Sequence, residues 1–209
     1  KQQDAATLAQ RIQSWTRTIV EAQDNNARTQ VGQKSKEAKE LSWHPPPPGW
    51  IAINTDGSVK QPDSRATAGG LLRDLLRRCI GAFASNLGSC TITRAELKGT
   101  MQGLQLAWSQ GHRRIQLRTD STTVLNILSS LEPYNGRYQG LMRQVQRLLQ
   151  QNWEVTISHT FREGNKSADY LANKGHSLDI GVHVIDKQDS GLKFWLLYDT
   201  MGIAQTRLI

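Results

Sequence analysis

The stretch from Trp50 to Ser58, Trp-Ile-Ala-Ile-Asn-Thr-Asp-Gly-Ser, constrains this chain more than any other. Side chains along a strand alternate between faces, so Ile51, Ile53 and Thr55 share one face and Ala52, Asn54 and Asp56 the other. Asp56 therefore ends a strand. Gly57 lets the backbone turn away, leaving a carboxylate at the strand's rim with little side chain to block approach. An Asp-Gly pair after a strand is also an ordinary turn signal. What separates the two readings is whether other acids converge on Asp56.

The segments that follow supply them. Thr67 to Arg73 and Cys79 to Ser85 read as two further strands, so Trp50 to Ser85 forms an antiparallel meander. Thr93-Arg94-Ala95-Glu96 has the form of a capping box, opening a helix that carries Leu97, Met101, Leu104 and Trp108. In Arg114 to Asp120, Ile115, Leu117 and Thr119 alternate with polar residues, and Asp120 ends its strand as Asp56 does. Ser121-Thr122 cap a helix with Val124, Leu125 and Leu128; a loop spans Glu132 to Gln139, and Leu141, Val145 and Leu148 mark another helix. Trp153, Val155 and Ile157 alternate as a last strand with His159 just beyond it. Asn165 then caps a helix whose Ala168, Leu171 and Ala172 face inward and whose early turns carry Asp169. A meander followed by alternating helix and strand predicts an α/β fold. Its five-stranded mixed sheet has three antiparallel strands then parallel ones, with helices on both faces. If the strand ending in Asp120 pairs in parallel with the strand ending in Asp56, both carboxylates project at neighbouring carboxyl ends, where ligands of such sheets bind. Glu96 and Asp169 are then on helices packed across those ends.

The periphery is read as two attachments to a central domain over 43–178. In residues 1–42, Leu8, Ile12, Trp15 and Ile19 make one helical stripe, and a polar linker follows. Trp43-His44-Pro45-Pro46-Pro47-Pro48-Gly49-Trp50 is a stiff polyproline entry into the first strand. The tail over 179–209, with Gly191 to Tyr198 apolar, is expected to pack back as a short helix or an added strand. Lysine and arginine number 26 against 18 acids, a net charge of +8, which favours a polyanionic partner such as nucleic acid. Cys79 and Cys90 have no metal-ligand spacing and suit a reducing, intracellular compartment, nucleus or cytoplasm. Neither a membrane span nor a secretory signal is visible, and a start at Lys1 hints at a fragment of a longer polypeptide.

Asp56-Gly57-Ser58, Arg94-Ala95-Glu96-Leu97, Thr119-Asp120-Ser121, and His159 followed by Asn165 and Asp169 resemble, in order and spacing, the motifs of the ribonuclease H family. The resemblance runs from about Trp50 to His176. The Pro-Pro-Pro-Pro-Gly-Trp entry and the Arg162-Glu163-x-Asn165-x-x-Ala168-Asp169-x-Leu171-Ala172 segment are similar to the plant branch found at the carboxyl end of non-LTR retrotransposon polyproteins. It implies hydrolysis of the RNA strand of an RNA·DNA hybrid with two Mg²⁺ ions, for which Mn²⁺ substitutes. It also implies Asp56, Glu96, Asp120 and Asp169 as metal ligands and His159 as an aid to proton transfer or product release. Gly57, Ser58, Arg94, Ser121, Arg162, Asn165 and Lys166 are the expected nucleic-acid contacts, and an upstream reverse transcriptase in the same polypeptide is a further expected partner. Four crowded carboxylates repel one another, so at least one is expected to hold its proton to unusually high pH. Two other readings stay open. One is a module on this fold that binds nucleic acid without cutting it. The other is an exonuclease, which usually places a second acid where this chain has Ser58.

Overall fold

The structure, a computed structural model, describes residues 38–129, 136–201 and 205–208. The expected amino-terminal helix and part of the expected loop over 132–139 lie outside the described residues. Strand β1 is Ala38–Leu41, β2 Ile51–Lys60, β3 Arg65–Arg73 and β4 Cys79–Ser89. Helix α1 is Ile92–Ser109, β5 Arg114–Thr119, α2 Thr122–Ser129, α3 Gln139–Leu149 and β6 Glu154–His159. A 3-10 turn, Arg162–Gly164, leads into α4, Lys166–Lys174, and a second, Gly175–Ser177, follows it; then come β7, Gly181–Val184, α5, Ser190–Thr200, and β8, Gln205–Leu208.

The main sheet runs β6-β5-β2-β3-β4-β7, and β1 pairs with β8 in a separate two-stranded sheet. Strands β2, β3 and β4 form the antiparallel meander, while β2 with β5 and β5 with β6 are parallel, as the strand-helix alternation predicts. The sheet has six strands rather than five. The extra one is β7, whose Val182 and Val184 lie opposite Ser85 and Phe83 of β4. The tail thus supplies both a strand and a helix.

Alternation along the central strands divides the core. Ile53, Leu72, Ile115, Leu117, Val155 and Ile157 pack with Leu104 and Ala107 of α1 and Val145 of α3 on one face. Leu71, Ala82 and Ala84 pack with Ala168 and Leu171 of α4 and Leu192 of α5 on the other. Each fully buried Leu or Ile contributes about 1.5–3 kcal/mol of transfer free energy, so both helix layers are held by the sheet they cover. Helix α1 begins two residues earlier than the capping-box reading placed it. Thr91, not Thr93, is the N-cap, and its hydroxyl accepts from the Arg94 N–H. Glu96 is thereby released from a capping duty and available elsewhere. Among the described residues, no helix is long and apolar enough to cross a membrane.

Candidate active site

The parallel register of β2 and β5 sets Ile53 beside Leu117 and Asn54 beside Arg118. Two residues beyond this last pair come Asp56 and Asp120, so both acids lie just past the end of the parallel ladder. The expectation that Asp56 ends its strand requires correction: β2 stays paired with β3 through Gly57 and runs on to Lys60, so Asp56 lies within β2 where β5 has ended beside it. Two glycines admit the helices that bring the other acids. A Cβ on Gly57 would lie 2.7 Å from the Glu96 backbone nitrogen, so the glycine lets the first turns of α1 settle against the middle of β2. Gly69 is the partner of Asp56 across the β2–β3 ladder. A Cβ there would lie 2.2 Å from the Ala172 nitrogen, so α4, with Asp169, rests backbone against backbone on β3. Glu96 thus approaches from one face of the sheet and Asp169 from the other.

Each acid has its own support. The Gly57 N–H donates to Asp56 Oδ1 at 2.8 Å. The Ser121 hydroxyl donates to Glu96 Oε2 at 2.5 Å and accepts from the Val124 N–H at 3.3 Å, so one serine caps α2 and holds Glu96. The Asn165 amide donates to Asp120 Oδ1 at 3.2 Å. Asp169 lies 3.8 Å from the Arg162 guanidinium and accepts from the Asn173 amide at 3.2 Å. Asn173 escaped the sequence reading, although its i+4 spacing from Asp169 on one helix was the available signal.

The electrostatics tie the four acids together. Asp56 is pushed up to about 8, first by burial, then by the charge of Asp120, with Asp169 and Glu96 adding to it against the opposing Gly57 N–H. Burial also raises Glu96, with Asp120 adding and the Ser121 hydroxyl opposing. Burial raises Asp120 too, against the Asn165 amide, Arg162 and His159. The expectation of at least one acid with a raised pKa is met at Asp56. Among the described residues, no three His, Cys, Asp or Glu side chains are gathered closely enough to hold a metal ion as they stand. The carboxylates feel one another without being drawn together, as groups of like charge do. Their donor set, oxygen throughout, fits a hard divalent cation of the Mg²⁺ type.

The remaining expected residues divide. His159 ends β6 opposite Thr119, exposed, with its ring edge-on to Phe161. Arg94 and Arg162 are exposed, Lys166, Ser121 and Gly57 half-buried. The Ser58 hydroxyl donates to Asn173 Oδ1 at 3.2 Å and lies 3.1 Å from His176 Nε2. Asn165 requires correction. It caps no helix with its side chain and has no exposed surface to offer a nucleic acid. All its amide capacity goes inward, to Asn54, the Thr55 carbonyl and Asp120. It holds the site together from beneath.

The family model described as reverse transcriptase-like matches residues 54–175, which contain all four acids and His159. An Arabidopsis thaliana protein named, by inference, a ribonuclease H protein is 32% identical over 198 residues. That match takes in 95% of this chain but only 32% of the relative, so the chain spans about a third of that protein's length. The amino-terminal ribonuclease H domain of a Mycobacterium tuberculosis protein superposes with a TM-score of 0.57 at 23% identity, covering 61% of this chain and 94% of the other. A ribonuclease H1 isolated from compost, solved in complex with an RNA/DNA hybrid, gives 0.55 at 18% identity over 59% of this chain and 94% of that one. These likenesses establish the fold, and the family match covers more than half the chain. The chain belongs to the reverse transcriptase-like family of ribonuclease H domains.

Proposed function

We propose that this chain is an endonuclease that hydrolyses the RNA strand of RNA·DNA hybrids, with Asp56, Glu96, Asp120 and Asp169 holding two Mg²⁺ ions or Mn²⁺ in their place. The observation that carries the reading is the coupling of Asp56 to the other three acids. A buried carboxyl whose ionisation is opposed by three neighbours is a place that a cation relieves, and its binding there releases a proton. A pair of such ions, when bound, supplies charge stabilisation to the attacking and leaving oxygens of a phosphodiester. The chain's own residues do the rest. Ser121 and Asn165 hold Glu96 and Asp120 in place by donating to them, so neither carboxylate has to be ordered when substrate arrives. His159, exposed beside the strand that leads to Asp120, is placed to move a proton at the rim. Arg94, Arg162 and Lys166 offer charge to phosphates, and Gly57 and Ser58 line the same rim.

Two further elements belong to the proposal. A reverse transcriptase upstream in the same polypeptide is supported by the family's description and by the small share of the Arabidopsis relative that this chain covers. A reducing compartment, nucleus or cytoplasm, is supported by the two free cysteines. The test uses labelled RNA·DNA hybrid, RNA duplex, DNA duplex and single strands with Mg²⁺, comparing the parent with Asp120→Asn. Internal cuts in RNA confined to the hybrid, and lost in the variant, support the proposal. Trimming from ends would indicate an exonuclease. Binding without cutting would leave a non-catalytic module.

A further inference from the structure

Below the acids lies a buried chain of polar groups whose direction is fixed from one end. Asn54, fully buried on the Asp56 face of β2, accepts at Oδ1 from the Trp43 indole N–H at 2.9 Å and from the Arg73 guanidinium at 3.0 Å. Its amide nitrogen donates to Asn165 Oδ1 at 3.1 Å. The Asn165 nitrogen then donates to the Thr55 carbonyl at 3.1 Å and to Asp120 Oδ1 at 3.2 Å. Guanidinium and indole can only donate, so the Asn54 oxygen must face them and its nitrogen must face Asn165. Asn165 is oriented in turn, and its donor end meets the Asp120 carboxylate. Reversed, the relay would set the Asn165 oxygen against that carboxylate, acceptor against acceptor.

Arg73 is itself held from the tail. It donates to the Asp199 carboxylate of α5, which also accepts from the Ser167 hydroxyl at 2.9 Å, and its guanidinium lies 3.7 Å over the Trp43 ring. Arg73 and Asp199 are 1% and 4% exposed, so each charge depends on the other for compensation. Asp199 also falls outside residues 54–175, the part matched by the family model.

We propose that Arg73 and Asp199 are positioning residues of the active site, setting the direction of the Asn54–Asn165 relay that orients Asp120. This rests on the nuclease reading for its kinetic consequence but not for its structural one. The single substitution Asp199→Asn would leave a buried arginine uncompensated, so the informative variant is Arg73→Met combined with Asp199→Leu, which removes both charges. Tm, kcat, KM for the hybrid, the Mg²⁺ midpoint by calorimetry and the side-chain amide NMR signals of Asn54 and Asn165 are measured together. A folded double variant is expected to shift both amide signals, raise the Mg²⁺ midpoint, and lower kcat about tenfold or more with KM for the hybrid little changed. A folded double variant with parental kcat, midpoint and amide signals would overturn the proposal. A second measurement needs no variant. In the parent, the side-chain amide protons of Asn54 and Asn165 are expected to exchange with solvent about a hundredfold more slowly than those of exposed Asn126. Equal rates would overturn the proposal as well. A parent that cuts no hybrid at all would refute the nuclease reading while leaving the amide signals to judge the relay.

Discussion

Replacing Asp56 with asparagine is expected to stabilise the metal-free protein while abolishing its proposed activity. The carboxyl, 8% exposed, titrates at about 8 in the fold against 3.8 when free. Between those values the folded state keeps a proton that the unfolded chain has released, so parent stability falls as pH rises through this window. Each tenfold in proton affinity corresponds to about 1.4 kcal/mol, which puts the strain at pH 7 on the order of 4 kcal/mol. Asparagine has nearly the same shape and retains an oxygen for the Gly57 N–H, so most of that strain should be recovered. For a chain of this size the gain is a Tm higher by roughly 10 °C. Thermal and urea unfolding of parent and Asp56→Asn, each with EDTA from pH 4 to pH 8, checks this. The advantage of the variant should be small near pH 4 and grow with pH. Adding Mg²⁺ should raise the parent's Tm and move the variant's much less. A variant less stable than the parent at pH 8 in EDTA would refute the reasoning, because Asp56 would then not be under electrostatic strain.

Gly69→Ala should destabilise the fold by about 1–3 kcal/mol, measured by urea denaturation, because its methyl meets the α4 backbone rather than a flexible side chain. Parent-like stability would mean that α4 does not rest on β3 as described. Ser121→Ala should move the Glu96 carboxyl titration, followed by NMR, to higher pH, since the lost hydroxyl favoured the ionised form. Hybrid affinity should fall linearly on a log–log plot against salt, and Arg162→Ala should reduce the slope by about one; a salt-independent affinity would remove phosphate contact from the account.

What the sequence revealed and what it hid follow from the distance over which each feature is determined. The first half of strand β2 was legible because alternation from Ile51 to Asp56 is local, as was β5 ending before Asp120. The run of β2 on to Lys60 was hidden because Asp56-Gly57 reads locally as a turn while the pairing with β3 keeps it extended. The side-by-side placement of β2 and β5 followed from the order of elements, which required a parallel pair. The cap of α1 was misplaced by two residues because Thr91 and Thr93 are chemically the same. Only the extended backbone of Thr91, outside the first turn, decides between them. The role of Asn165 was hidden because its partners Thr55 and Asn54 are 110 and 111 residues away. The Arg73–Asp199 pair spans 126 residues, and no periodicity announces it. Strand β7 went unrecognised within the tail because four residues with exposed valines carry too little pattern to mark an edge strand.

The central claim is that acids from two strands and two helices serve one cation site. Mn²⁺ titrated at substoichiometric amounts into isotope-labelled protein, with carboxyl signals followed by NMR, tests it most directly. Asp56, Glu96, Asp120 and Asp169 are expected to broaden together and first, and Asp120→Asn to weaken the effect at the other three. Broadening that spares any of the four, or that begins at acids elsewhere on the surface, would contradict the claim.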